Sequence, residues 1–196
     1  MESFTLLVGL GNPGPRYVQT RHNAGFWFLD VAARRLKGNF RAEKRFQGEV
    51  AEGEWGGGKL RLLAPSTYMN HSGQSVGALA GFFKIPVERI LVAHDEIDLQ
   101  PGDVRLKVGG GHGGHNGLRD IIAHLGSPGF ARLRIGVGHP GLSDDVVDYV
   151  LNRPGKAEQT RIDSAVDRAC ELLPIILDGD LSRAMQALHT KPEPGQ

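Results

Sequence analysis

The chain of 196 residues contains a single cysteine, Cys170. One thiol excludes an internal disulfide and any cysteine-based zinc site, and it suits a reducing compartment. Long hydrophobic runs are missing too: no apolar stretch approaches the roughly 20 residues that a membrane span needs. Residues 4–10 are apolar, but no basic segment precedes them and Gly-Asn-Pro follows. That reads as a strand entering a turn rather than as a signal peptide, so a cytoplasmic protein is the default expectation. Charge of one sign is scarce overall, with a net charge of +1, and global charge therefore announces no polyanionic partner. There is no internal repeat, no linker long enough to split the chain, no HExxH, and no Ser or Cys set in a nucleophile elbow; Ser66, Ser72 and Ser75 read as turn and cap residues.

What is present is ordinary soluble composition, 40% hydrophobic and 23% charged, with a length that suits one domain. The charge is unevenly spread. Residues 1–45 carry eight Lys/Arg against three Asp/Glu, and residues 141–180 carry nine Asp/Glu against four Lys/Arg. One basic face and one acidic side would hold a polyanion at a single face, although solvated surface gives the same counts.

Hydrophobic periodicity orders the chain. Strands are expected over residues 5–10, 90–93, 104–108 and 133–137, and a hairpin over 46–54 and 59–64 around Trp55 to Gly58. Helices are expected from Ala24, ended by Gly38 and Asn39, and from Ser72 as its cap, closed by Pro86. Others come after the glycine run at Leu118 to Leu125, span 156–177 with a kink at Pro174, and span 181–188. Alternating strands and helices predict one α/β domain over residues 1–190, with a twisted, mixed but largely parallel central sheet flanked by helices. Residues 191–196 are expected to form a disordered tail.

Two glycine-rich loops stand out. Residues 9–14, GLGNPG, spell GxGxxG after a strand, but Pro13 and Pro15 replace the helix start that a dinucleotide needs, and no second strand with a terminal acid comes after them. Residues 109–119, GGGHGGHNGLR, join a strand to a helix N-terminus, with Lys107, His112, His115 and Arg119 alongside. That is a place for an anionic or ester-bearing ligand, or simply a glycine-rich connection with Asn116 as N-cap.

In open α/β sheets ligands lie beyond the strands' carboxyl ends. The segments just past those ends carry a small polar set: Asn12, His22 on the loop that Asn12 opens, Asn70, Asp95 and Asn116. A histidine backed by a buried aspartate is a general base, and neutral amides can donate to a carbonyl oxygen that gains charge. Together they point to direct hydrolysis of an activated acyl group such as an ester. The rival chemistry is a metal site from His94, Asp95, Glu96, His112, His115 and His139. The two histidines of the glycine loop lack helical ligand spacing, so no metal and no cofactor is expected.

The segments LVGLGNPGPRY, TRHNAG, STYMNHSGQSV, HDEIDL, GGGHGGHNGLRDI and RLRIGVGHPG, in this order and spacing, resemble the bacterial peptidyl-tRNA hydrolase family over residues 6–187. The resemblance implies a cytoplasmic, monomeric, metal-independent enzyme that frees tRNA for translation by cleaving the ester between a peptide and the terminal ribose of its tRNA. It implies His22 as the base that activates water, Asp95 as its support, and Asn12 as the residue that tells peptidyl-tRNA from free aminoacyl-tRNA. It further implies Asn70 and Asn116 on the peptide and 3′ end, Tyr17 and Tyr68 beside the terminal nucleotide, and Lys107 and Arg134 on the 5′ phosphate. Two departures stand out: Arg105 where lysine is common, and an acidic Gly-Leu-Ser-Asp-Asp at 141–145 where relatives often carry lysine.

Overall fold

Leu6, Leu7, Val8 and Gly9 offer no polar side chain to water, and the strand they form, β1 (Leu6–Gly9), is buried throughout. The computed structural model describes residues 2–190, so the expected tail at 191–196 lies outside the described residues. Strands β2 (Arg41–Glu43), β3 (Gly48–Trp55), β4 (Gly58–Pro65), β5 (Ile90–Glu96), β6 (Val104–Val108) and β7 (Ala131–Gly136) complete one seven-stranded sheet in the order β2-β3-β4-β1-β5-β7-β6. The four central strands β4, β1, β5 and β7 are mutually parallel, while β3 and β6 run against their neighbours. A buried parallel centre explains the continuous apolar runs of β1 and β5.

Helices α1 (Ala24–Arg35), α2 (Ser72–Phe82), α3 (Asn116–Leu125), α4 (Val146–Val150), α5 (Lys156–Glu171), α6 (Leu173–Leu177) and α7 (Leu181–His189) cover the sheet. One core, around Phe28, Leu91, Leu133 and Ile162, packs α1 and α5–α7 on one face. The other, around Val8, Leu79, Ile121 and Phe130, packs α2 and α3 on the opposite face. Cys170 lies in the first core, where burial pushes its thiol up to about 12, so it stays protonated and inert.

Several elements differ from the sequence expectation. The long helix is two: α5 stops at Glu171 and Pro174 sits in the first turn of α6, where its missing N–H costs nothing. Ser72 does not cap α2; its hydroxyl donates to Met69 O at 2.7 Å, and His71 occupies the cap position. At α3 the cap is His115 rather than Asn116: its Nδ1 accepts from the Leu118 N–H at 3.3 Å. The chain leaves α1 through Lys37, held at φ 54°, while Gly38 N–H returns to Ala33 O at 2.9 Å. β2 and α4 went unforeseen because β2 is exposed and polar, and α4 hides behind an acidic loop.

β5 also runs on to Glu96, so His94, Asp95 and Glu96 are strand residues paired with Arg134, Ile135 and Gly136 of β7, not loop residues. Above this strand end, α1 starts almost in contact with the sheet. A Cβ on Gly25 would drive into the backbone oxygens of Ala93 and Leu10, and one on Gly9 into Gly25 O. None of these backbone atoms can retreat. Gly25→Ala is therefore expected to cost roughly 2–3 kcal/mol by urea denaturation. Gly81→Ala, in α2 with open space around it, is expected to be neutral or to stabilise by up to about 1 kcal/mol.

Candidate active site

The polar residues at the strand ends meet at one cleft. It has a volume of about 580 Å³ and is lined by Asn12, Tyr17, His22, Tyr68, Asn70, Asp95 and Asn116, with His115 among them. His22 sits in a 3-10 turn, Arg21–Asn23, that leads directly into α1. Its Nδ1 lies 3.0 and 2.9 Å from the two carboxylate oxygens of Asp95. Across the same carboxylate, His115 Nε2 lies 2.8 Å from Asp95 Oδ1. Asp95 is only 3% exposed, so one buried anion is held between two imidazoles.

Burial works to raise the Asp95 carboxyl, but the facing His22 and His115 and their hydrogen bonds outweigh it and hold the group well below the usual carboxylate range. Burial likewise works to lower His22, and the Asp95 charge and hydrogen bond overcome it, leaving His22 raised above its ordinary value. Since Nδ1 faces an ionised carboxylate, Nδ1 carries the proton and Nε2 carries the lone pair of the neutral ring. His115 has no such freedom. Its Nε2–H donates to Asp95 and its Nδ1 accepts from Leu118 N–H, so both nitrogens are committed. Of these two rings, His22 is the one that keeps a nitrogen outside the hydrogen bonds described.

Asn12 is oriented by its surroundings. Its Oδ1 accepts from Met69 N–H at 2.7 Å, which directs the side-chain NH₂ away from that contact as a donor. Asn23 fixes the Asn12 backbone from both sides, accepting from its N–H at 2.9 Å and donating to its carbonyl at 3.0 Å. Asn116 Oδ1 accepts from Arg119 Nη1 at 3.1 Å, which likewise leaves its NH₂ as the donor end. Tyr17 and Tyr68 stand edge to face with ring centroids 6.3 Å apart. Val146, Val147, Val150 and Leu151, on and just after α4, form an apolar wall with Ile97. This wall is tied to the His22 turn by Arg21, which bonds Tyr149 O and Glu158 and stacks on the Tyr149 ring at 3.9 Å.

Against known proteins, the family model for peptidyl-tRNA hydrolase matches residues 6–195. The chain belongs to the peptidyl-tRNA hydrolase family. It is 59% identical to the peptidyl-tRNA hydrolase of Halorhodospira halophila over 186 residues, which cover 95% of this chain and 96% of the relative. It is 57% identical to that of Polynucleobacter asymbioticus over 192 residues, 95% and 98% of the two chains. The crystal structure of the Acinetobacter baumannii peptidyl-tRNA hydrolase superposes with a TM-score of 0.92 at 48% identity, covering 96% of both chains.

In this hydrolase Lys107 and Arg134 stand outside the cleft, on one face of the β6–β7 pair, where Lys107 faces Arg132 and Arg105 faces Arg134. Arg134 Nε holds Glu96 Oε1 at 2.8 Å, and Glu96 does line the cleft. Of the rival metal ligands, His112 Nδ1 and His139 Nδ1 accept from nearby glycine N–H groups, and His94 Nδ1 bonds Asp95 O. Among the described residues the one group of three such side chains whose ligand atoms all lie within 4.8 Å of one another is His22, Asp95 and His115. An ion there would displace both imidazole–carboxylate hydrogen bonds. The dinucleotide pattern at residues 9–14 has no helix start within it, since α1 begins at Ala24. His115, Asn23 and the Met69 N–H are the site groups that sequence reading did not assign, and only His115 left a trace, as one of two histidines in the glycine run.

A raised His22 stabilises the fold fully below its ordinary value of 6.5, and that contribution is lost as pH rises through the raised folded value. A depressed Asp95 stabilises it above 3.8, and that contribution is lost as pH falls toward its folded value. The pair therefore stabilises most strongly between the two. In Asp95→Asn, burial acts on His22 without its counter-charge. The His22 ring is then expected to titrate below 6.5 in an NMR pH series, whereas an unmoved titration would show that Asp95 does not set it.

Proposed function

We propose that this hydrolase cleaves the ester between the peptide, or an N-blocked amino acid, and the 3′ ribose of tRNA, using water activated by His22. The observation that carries the reading is the imidazole anchored through Nδ1 on Asp95 with its second nitrogen uncommitted in a cleft lined by amides. His22 Nε2 takes a proton from water while the hydroxide oxygen bonds to the ester carbonyl carbon. Negative charge moves to the carbonyl oxygen, where an asparagine NH₂ can donate; one such donor supplies about 3–4 kcal/mol. As the tetrahedral centre collapses, the bond to the ribose oxygen breaks and the imidazolium proton passes to that oxygen. The products are a peptide acid and tRNA with a free hydroxyl.

Asn12 selects for a blocked amine by donor–acceptor matching. A peptide bond offers a carbonyl that accepts from the Asn12 NH₂, whereas the ammonium of a free aminoacyl group offers only donors. Asn70 and Asn116 hold the peptide and the 3′ end, and Tyr17 and Tyr68 pack beside the terminal nucleotide. Lys107 and Arg134 hold the 5′ phosphate, the first as a point charge and the second as a fork. A cytoplasmic monomer working in translation fits this reading, and among the described residues no helix is long and apolar enough to cross a membrane.

The deciding experiment is release of an N-acetylated amino acid from its tRNA, with free aminoacyl-tRNA and a chelator run alongside. Cleavage of the blocked substrate alone, insensitive to chelator, is expected; loss of activity in chelator would move the chemistry to an ion at His22, Asp95 and His115. His22→Ala is expected to lower kcat by about 10²–10⁴-fold with tRNA binding kept. For the phosphate contacts, Lys107→Ala or Arg134→Ala should flatten the salt dependence of tRNA affinity by about one unit of slope. A slope identical to wild type removes that residue from the phosphate site.

A further inference from the structure

Arg132 is a buried cation without a carboxylate partner. It lies on β7 at 3% exposure, and among the described residues it forms no ion pair. Its cross-strand neighbour is Lys107, and its guanidinium sits 4.8 Å from the Phe130 ring centroid. The hydrogen bonds that it makes go to two successive carbonyls of the glycine run: Nη1 to Gly111 O and Nη2 to Gly110 O. Burial, and then Arg134, lower its proton affinity, and Glu96 offsets them only in part. A desolvated charge with no carboxylate bonded to it is a poor way to hold a fold together.

The segment it grips has little else to fix it. Gly109 and Gly110 are at φ 67° and 97°, and a Cβ at Gly111, Gly113 or Gly114 would meet nothing within 4 Å. The first ties to the body of the protein are Gly109 N–H to Phe130 O at 3.1 Å and the Arg132 fork. Four and five residues beyond the fork stand His115, bonded to Asp95, and Asn116, which lines the cleft.

We propose that Arg132 is a positioning residue: by bridging the carbonyls of Gly110 and Gly111 it sets the glycine run, and through it His115 against Asp95 and Asn116 in the cleft. It acts on the chemical step rather than on phosphate binding, and so differs from Lys107 and Arg134. A planar fork is required, because a lysine ammonium is a single point and cannot span two carbonyls with the same geometry. The proposal rests on the ester-hydrolysis mechanism above.

Arg132→Lys keeps the charge, and Arg132→Met removes the buried charge while filling the space. Both are expected to lower kcat about 10–100-fold, as a misplacement of about 1 Å does. KM should change less than about threefold, the salt slope should stay at the wild-type value, and the melting temperature of the Met variant should be equal or higher. In a His115→Ala background the additional loss from Arg132→Lys should shrink, since the two act through one another. The His115 ring resonances in NMR should shift in Arg132→Lys without any substrate present. That readout stands even if His22→Ala proves active and the catalytic reading fails. Wild-type kcat in Arg132→Lys, unmoved His115 resonances, or a rise in KM with a flatter salt slope would each overturn the proposal. If Arg132→Met does not fold, a merely structural role is indicated only if Arg132→Lys, folded, retains full kcat; a folded Lys variant with depressed kcat supports positioning.

Discussion

The buried carboxylate of Asp95 is the constraint around which the active end of the molecule is arranged. Removing an ion from water carries a penalty on the order of several kcal/mol, which has to be met by donors in good geometry. Here the donors come from two sides of the sheet's central strand. His22 arrives from the start of α1, which can reach β5 only because Gly9 and Gly25 let backbone lie against backbone. His115 arrives from the other direction, at the end of a run of glycines that takes left-handed turns other residues would resist. Two unrelated glycine pairings in the sequence therefore serve one anion.

The same carboxylate assigns different work to two chemically identical rings. His22 gives one nitrogen to Asp95 and keeps the other. His115 gives one to Asp95 and the other to the first turn of α3. A third ring, His94, is held neutral with its value lowered to about 3 by burial first and by His115 second. It meets His115 at a steep angle with 5.1 Å between centroids, buried outside the residues that line the cleft.

Much of this was legible before any coordinates. Asn12, His22, Asn70 and Asn116 come after strands and Asp95 lies near the end of one, and in a parallel sheet strand ends converge; that topological rule and apolar periodicity were enough to gather them. What escaped was of a different physical kind. Asn23 works through its side-chain amide on the Asn12 backbone, and the Met69 N–H is a main-chain donor, which leaves no mark in the letters. His115 was visible only as a rival metal ligand, because a glycine run gives no periodicity from which to infer which way its side chain points. Strand β2 is too short and polar to alternate, and the break at Leu172 shows a proline acting as a helix start where a kink was expected.

The ionised state of Asp95 also bears on how the reaction ends. Hydrolysis of an ester creates a carboxylate where a neutral acyl group had been. Under the proposed mechanism His22 passes its proton to the departing ribose oxygen, the peptide acid then gives up its own proton to water, and the resulting anion lies near a resident one, with Glu96 on the same lining and an apolar wall at α4 that offers it no donor. Like charges in a partly desolvated cleft repel. The site is thus hospitable to what enters and inhospitable to one of the things it makes, which favours clearance of the peptide and opposes re-formation of the bond.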